Sequence, residues 1–225
     1  MADIVQGSPE WFKQRCGKVT ASKVHDIIAT TRSGTPAASR KNYRAQLVAE
    51  RLTGTVADSY TNAAMQWGTD TEPEAAAAYA FYSDSDVAEV GFVTHPTIGD
   101  TGASPDRLVG EDGLVEIKCP NTATHIDTLL GGKIDAKYIT QMQWQMGCTG
   151  RKWCDFVSFD PRMPEELRLF TCRIERDDAM ITELEKQVVA FLAEVRETVA
   201  RLRALNAPAT DIADEPAEVR NMMAG

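Results

Sequence analysis

The chain has 225 residues, 43% hydrophobic and 25% charged, an ordinary globular balance with enough length for one sizeable core and trimmings. No apolar run approaches the ~18 residues that cross a bilayer, and the N-terminus lacks a basic-then-apolar secretory pattern, so no membrane association and a cytoplasmic setting are expected. Five cysteines with no Cys-x-x-Cys spacing argue for reduced thiols and against a disulfide framework or zinc knuckle. The net charge of −9 is unevenly spread: residues 1–56 hold nine Lys/Arg against four Asp/Glu, which makes them +5 and the remainder −14. Such an asymmetry fits one polyanion-binding face on an otherwise acidic body, or a plain solvated helix surface.

In chain order, Ser8 is placed to cap a first helix carrying Trp11 and Phe12. In "TASKVHDIIATT" Ser22 stands near a second helix start, with Val24, Ile27 and Ile28 on one face. Residues 32–39, "RSGTPAAS", read as an exposed mobile loop. Residues 40–53 carry Tyr43, Leu47, Val48 and Leu52 at helical spacing and stop at Gly54. Residues 64–82 form a further helix, interrupted at Gly68 and entered properly near Thr71–Pro73.

Three β-type segments follow, "VAEVGFVTH", "RLV" and "LVEIKC", the last two joined by "GEDG". "ATHIDTLLGGKID" is a helix stopped by Gly131–Gly132. "AKYITQMQWQMGCTG" is another, stopped at Gly147–Gly150. "KWCDFVSFDP" and "ELRLFTCRIER" are strands in a hairpin around Pro161–Pro164. From Asp177 a long helix runs to about Leu205, with Ile181, Leu184, Val188, Phe191, Val195, Leu202 and Leu205 as a near-heptad stripe that packs on the chain's own core. The tail from 207 is loosely held. Strands bracketed by helices imply an α/β core with a mixed central sheet.

The chemistry gathers at "TGASPDRLVGEDGLVEIKCP". Glu116 and Lys118 lie two apart in an otherwise apolar strand and so share a face. Asp106 joins that face only if the loop between the two strands spans an odd number of residues; a strict four-residue "GEDG" loop points it away unless a bulge shifts the register. Two converging carboxylates repel and need a shared proton or cation. Without His or Cys neighbours they suit Mg²⁺, Mn²⁺ or Ca²⁺, the equipment of metal-assisted phosphodiester hydrolysis, while a buried structural Asp/Glu/Lys triad is the plainer alternative.

"SPD" followed by "LVEIKCP" resembles the PD-(D/E)xK nuclease arrangement. More specifically, the chain resembles the lambda-phage-type exonucleases, the YqaJ-like viral recombinase nucleases. The matching stretches are "WFKQRCGKVTASKVHDIIA", "AMQWGTDTEPEA", "TGASPDRL", "GLVEIKCP", "YITQMQWQM" and "FDPRM", in the family's order over residues 11–176. The resemblance implies a restriction-endonuclease-like α/β domain over 1–206, with a basic helical part (1–56), a catalytic core (57–176) and a C-terminal helix (177–206), followed by a flexible tail (207–225).

The implied activity is Mg²⁺-dependent 5′→3′ digestion of one strand of linear duplex DNA to mononucleotides, leaving a 3′ single strand. Two ions per site are implied, with Mn²⁺ able to substitute. By resemblance, Asp106, Glu116 and the Ile117 carbonyl are the metal ligands and Lys118 orients or activates water. Glu72 supports the metal-site waters, and Tyr138 and Gln141 line the site. Arg15 and Ser22, with Thr20 and Ser104, bind a 5′-phosphate; a guanidinium fork and hydroxyls suit that dianion. Arg32 contacts the strand backbone and Met65 is an apolar wedge at the terminal base pair.

Implied partners are DNA with a 5′-phosphate, a single-strand annealing protein and a homotrimeric ring, in the cytoplasm of a bacterial host. Two departures stand out: Arg107 replaces the glycine that commonly follows the motif aspartate, altering the turn or reaching toward DNA, and Gln145 stands where related families carry tyrosine. An endonuclease of the same superfamily and a catalytically inactive DNA-binding subunit are the rival readings.

Overall fold

The computed structural model describes residues 4–57 and 62–205. Ser8 caps α1 (Pro9–Arg15), accepting from the Trp11 amide at 3.2 Å. β1 (Val19–Thr20) runs directly into α2 (Ala21–Ile28), and after an exposed loop α3 (Ala38–Thr53) ends at Gly54. The Asn62 side chain caps α4 (Ala63–Ser83), accepting from Met65 N at 2.9 Å. Short strands β2 (Val87–Ala88), β3 (Val93–Thr94), β4 (Thr101–Ala103) and β5 (Arg107–Val109) precede the longer β6 (Gly113–Lys118). Then come α5 (Thr122–Leu129), α6 (Ala136–Thr149), β7 (Trp153–Phe159), β8 (Leu169–Glu175) and α7 (Asp178–Ala204).

Five strands form a mixed sheet in the order β2-β5-β6-β7-β8, with β6 and β7 parallel and the other pairs antiparallel. Alternation along β6 sends Val115 and Ile117 to one face, where they pack with Ala75, Ala76 and Tyr79 of α4. Leu114 goes to the other face, against Met142 and Met146 of α6 and Ile181 of α7. Glu116 and Lys118 share the parity of Leu114 and therefore face α6. A second core joins α2, α3, α6 and α7, with Tyr43 stacked on Phe191 at 5.6 Å between ring centroids. A small sheet, β1-β4-β3, lies beside it, β1 and β4 parallel.

Several expected boundaries move. α4 runs unbroken through Gly68 and Pro73: proline removes one helix hydrogen bond, and burial of Thr71, Ala75, Ala76 and Tyr79 outweighs that local cost. α6 likewise passes through Gly147, which touches Ile181, and stops only at Gly150. "VAEVGFVTH" is not one strand but β2 and β3, which belong to different sheets. On α7 the stripe is buried from Ile181 to Val195, whereas Leu202 and Leu205 are exposed. The tail at 207–225 lies outside the described residues.

Candidate active site

The β5–β6 register decides the geometry. Val109 pairs with Gly113, Leu108 with Leu114 and Arg107 with Val115, so the connection is three residues, 110–112. Gly110 opens it at a φ of +48°, a region glycine enters at low cost. An odd loop brings Asp106 opposite Glu116, and the Asp106 carboxylate reaches the Ile117 amide, which donates to its Oδ2 at 2.6 Å.

Glu116 is fully buried and is gripped by three donors. Lys118 Nζ and Gln141 Nε2 (2.7 Å) both donate to Oε1, and Gln145 Nε2 donates to Oε2 at 2.6 Å. Gln141 and Gln145 stand one turn apart on α6, so a single helix face supplies both amides. Tyr138, one turn earlier, lies beneath Lys118, whose Nζ is 5.0 Å from the ring centroid. Glu72 reaches the site from α4, accepting from Arg107 Nη1 at 3.1 Å. Arg107 is thus turned back onto Glu72 and the Asp106 carbonyl, not outward toward DNA.

Burial, and next the neighbouring Glu116, hold the Asp106 carboxyl well above its usual value. Burial works against the Lys118 charge, but Glu116 and then Asp106 outweigh it and raise Lys118 above the ordinary lysine range. Burial pushes the Cys119 thiol up to about 12, aided by Glu72 and Asp106, which leaves it protonated and a poor nucleophile or ligand. Three acidic side chains, Glu72, Asp106 and Glu116, face two cations, Arg107 and Lys118, so an ionised Asp106 would leave the cluster short of positive charge. Among the described residues no three His, Cys, Asp or Glu side chains close on one point. A hard divalent cation therefore fits only as the partner of two carboxylates, Asp106 and Glu116, completed by a backbone oxygen such as the Ile117 carbonyl and by water.

A second cluster forms around Arg15. Its Nη1 donates to Ser104 Oγ at 3.3 Å, its guanidinium lies 3.9 Å from the Trp11 ring, and Trp11 Nε1 also donates to Ser104 Oγ at 3.0 Å. Burial draws Arg15 down to about 10, so it stays charged at neutral pH, and no carboxylate pairs with it among the described residues. Thr20 closes the neighbourhood: its amide donates to Tyr43 Oη at 3.1 Å, and as the N-cap of α2 its side chain makes no capping bond. A half-buried cation with no carboxylate partner, beside a helix N-terminus without a side-chain cap, has the chemistry to receive an anion. Ser104 precedes Asp106 by two extended residues, roughly 7 Å, so the two clusters adjoin.

Ser22, Arg32 and Met65 lie outside both hydrogen-bonded clusters. All three are exposed, and their side chains make no hydrogen bond among the described residues. Met65 is therefore not core. Sequence reading missed Trp11 and undervalued Gln145; the readable signals were Trp11 and Arg15 four apart on one helix, and Gln141 and Gln145 likewise. Asp160, from "FDPRM", is a buried anchor: burial opposes its charge, but bonds from Arg162 and Thr122 bring it down to about 2, and Arg162 lies 4.6 Å over Trp67.

A sequence profile described as YqaJ-like viral recombinase domain matches residues 10–152. The chain belongs to the YqaJ-like viral recombinase family. Two crystal structures of LHK-Exo, an alkaline exonuclease from Laribacter hongkongensis, are 54% identical to it and cover 88% of this chain and 97% of their own. The one in complex with dAMP superposes with a TM-score of 0.82, the other with 0.81. A phage-related exonuclease from Haemophilus somnus 129PT, 18% identical over 82% of this chain and 96% of its own, shares the fold at a TM-score of 0.59. No curated protein sequence matches the chain. This YqaJ-family chain has the restriction-endonuclease-like fold expected of it, with the Asp106–Glu116–Lys118 cluster at the end of its central strands.

Proposed function

We propose that the chain is a Mg²⁺-dependent 5′→3′ exonuclease on linear duplex DNA, releasing mononucleotides and leaving a 3′ single strand. The observation that carries this reading is the odd β5–β6 loop, which aligns Asp106 with Glu116 and Lys118 in a family whose solved relative at 54% identity is an alkaline exonuclease. That relative's complex with dAMP, a mononucleotide, supports single-nucleotide release.

Asp106, Glu116 and the Ile117 carbonyl would hold Mg²⁺, two ions per site, with Mn²⁺ a possible substitute. The cation supplies electrostatic stabilisation of the charge that builds on the phosphate oxygens. Gln141 and Gln145 fix the Glu116 carboxylate, so it does not need to reorganise during the reaction. Lys118, held as an ammonium, orients the attacking water and does not take its proton. Water oxygen attacks phosphorus and gives up a proton to solvent, the bond to the 3′-oxygen of the terminal nucleotide breaks, and the departing oxygen is protonated from solvent. Each cut thereby creates a new 5′-phosphate, the group that Arg15, Ser104, Thr20 and Ser22 are suited to receive. Arg32 contacts the backbone, Met65 parts the terminal pair, and Glu72 supports the site waters.

A single-strand annealing partner and a homotrimeric ring extend the same reading. Linear duplexes labelled at the 5′ or 3′ end, with and without Mg²⁺, test it. Mg²⁺-dependent loss of the 5′ label as mononucleotide, with the 3′ label retained in a single strand, is expected. Cutting of closed circular DNA, or no cutting with any divalent ion, would overturn it.

A further inference from the structure

A cavity of about 430 Å³ opens where the turn after α1 meets α3 and α7. Its charged lining is Lys18, Arg51, Arg196 and Arg203 against one acid, Asp100. Residues from both ends of the chain meet there, α3 contributing Arg51 and α7 contributing Arg196 and Arg203. Asp100 is shared, 3.2 Å from Arg51 Nη2 and 3.9 Å from Arg196 Nη1. Lys18 and Arg203 have no acidic partner within 4 Å among the described residues.

The site is built, not incidental. Arg51 is largely buried, its side chain 16% exposed, and its Nε donates to Gly17 O at 2.8 Å. Its Nη2 is buried and makes no hydrogen bond of acceptable geometry. Gly17, at φ +69°, leaves the room: a Cβ there would meet Arg51 Cγ at 2.8 Å. Asp100 holds a left-handed conformation at φ +62°, unusual for a non-glycine residue. The buried Glu50, held by Gly17 N, Gln46 Nε2 and Ala57 N, adds a second negative charge behind the lining, so four cations face two acids there.

We infer that this cavity is a second phosphate-binding site, taking a backbone phosphate of duplex DNA away from the bond being cut. The inference rests on the reading of the chain as a duplex-DNA enzyme. Neither Arg15 nor Ser104 lines the cavity: Cys16, Gly17 and Lys18 lead the chain from Arg15 into its lining, and Asp100 lies four extended residues, roughly 13 Å, before Ser104. On a chain of net charge −9, three arginines and a lysine in one lining form a local excess of positive charge that suits a polyanion. Contacts at both sites would fix the duplex at two separated points and so set its direction of approach.

The test is anisotropy titration of a blunt duplex with 5′-hydroxyl ends, in EDTA, across a salt series, so that hydrolysis is not read. Arg196→Ala/Arg203→Ala should reduce the steepness of log K against log salt by about 0.9, the value for the loss of one phosphate contact. Its melting temperature and its preference for 5′-phosphorylated ends should match the parent's. Lys152→Ala/Lys186→Ala removes equal charge outside the cavity and should leave the slope unchanged. An unchanged slope in the first variant, an equal fall in the second, or no duplex binding by the parent would overturn the assignment. Stabilisation of the parent, but not the first variant, by inorganic phosphate with no slope change would overturn the DNA source. A parent that binds in this way yet cuts nothing would sink the proposed activity and leave this site standing.

Discussion

The amide of Gln145 offers the sharpest quantitative test, through Gln145→Met. Methionine keeps the length and apolar stem and removes the donor that Glu116 Oε2 receives at 2.6 Å. Both residues are fully buried, and Oε2 has no second donor among the described residues. A hydrogen bond to a charged group contributes about 1.5–3 kcal/mol, and removing one partner leaves the buried oxygen unsatisfied. For a chain of this size each kcal/mol moves the melting temperature by roughly 2–4 °C, so a fall of about 3–12 °C is expected. Gln141→Met is the internal comparison. Its donor acts on Oε1, which keeps Lys118, so the loss should be about 1 kcal/mol and roughly 2–4 °C. Scanning calorimetry of both variants in EDTA reads the difference. Equal shifts, or a Gln145→Met protein as stable as the parent, would refute the claim that α6 clamps Glu116 through two unequal bonds.

Lys118→Ala should slow digestion of linear duplex by about 10²–10³, the loss of one preorganised donor, and Lys118→Arg should not restore it, because a planar fork does not replace a compact ammonium; initial rates within tenfold of the parent would contradict the assigned role. Asp106→Asn should abolish cutting yet melt higher than the parent at neutral pH in EDTA. The native carboxyl holds its proton above the ordinary value of 3.8, so native stability falls as pH rises from there, by about 1.4 kcal/mol for each pH unit of displacement. Asparagine removes that penalty, so the two melting curves should converge below about pH 4; a variant that melts lower at pH 7 would count against it. Arg15→Ala should slow initiation on 5′-phosphorylated ends and change 5′-hydroxyl ends little, read by end-labelled duplexes; equal slowing on both would remove the phosphate assignment.

Much of this was legible in the residues, for identifiable reasons. The 3.6 period marked α3 and α7 because each buries one stripe, whereas α6, buried all round from Met142 to Cys148, was marked by its closing glycines. Glu116 and Lys118 were readable because two charges in an apolar strand share a face by alternation. Asp106 was only conditionally readable: its direction depends on whether the connection closes at 109 or 110, and "GEDG" allows either. β1 and β4 escaped notice because strands of two and three residues have no period, yet their pairing carries Ser104 to Arg15. The break expected at Gly68 and Pro73 failed because local propensity yielded to the packing of Ala75, Ala76 and Tyr79 on the sheet. Gln145 looked like a mere replacement for tyrosine; its partner is twenty-nine residues away on another element. Such a contact is a property of how α6 crosses β6, which no local window contains.

The turn at 110–112 has an evolutionary corollary. Surface connections ordinarily tolerate gain or loss of a residue, and Glu111 and Asp112 are exposed enough for free exchange of identity. An indel of one residue here would turn Asp106 to the opposite side of its strand, and with it Leu108 and Val109, which pack with Leu114 and Val115 of β6 in the two cores. Lineages should accordingly drift in what this turn is made of while its tally of residues changes only in steps of two, and a nuclease both inert and less stable is the expected fate of any that break the rule.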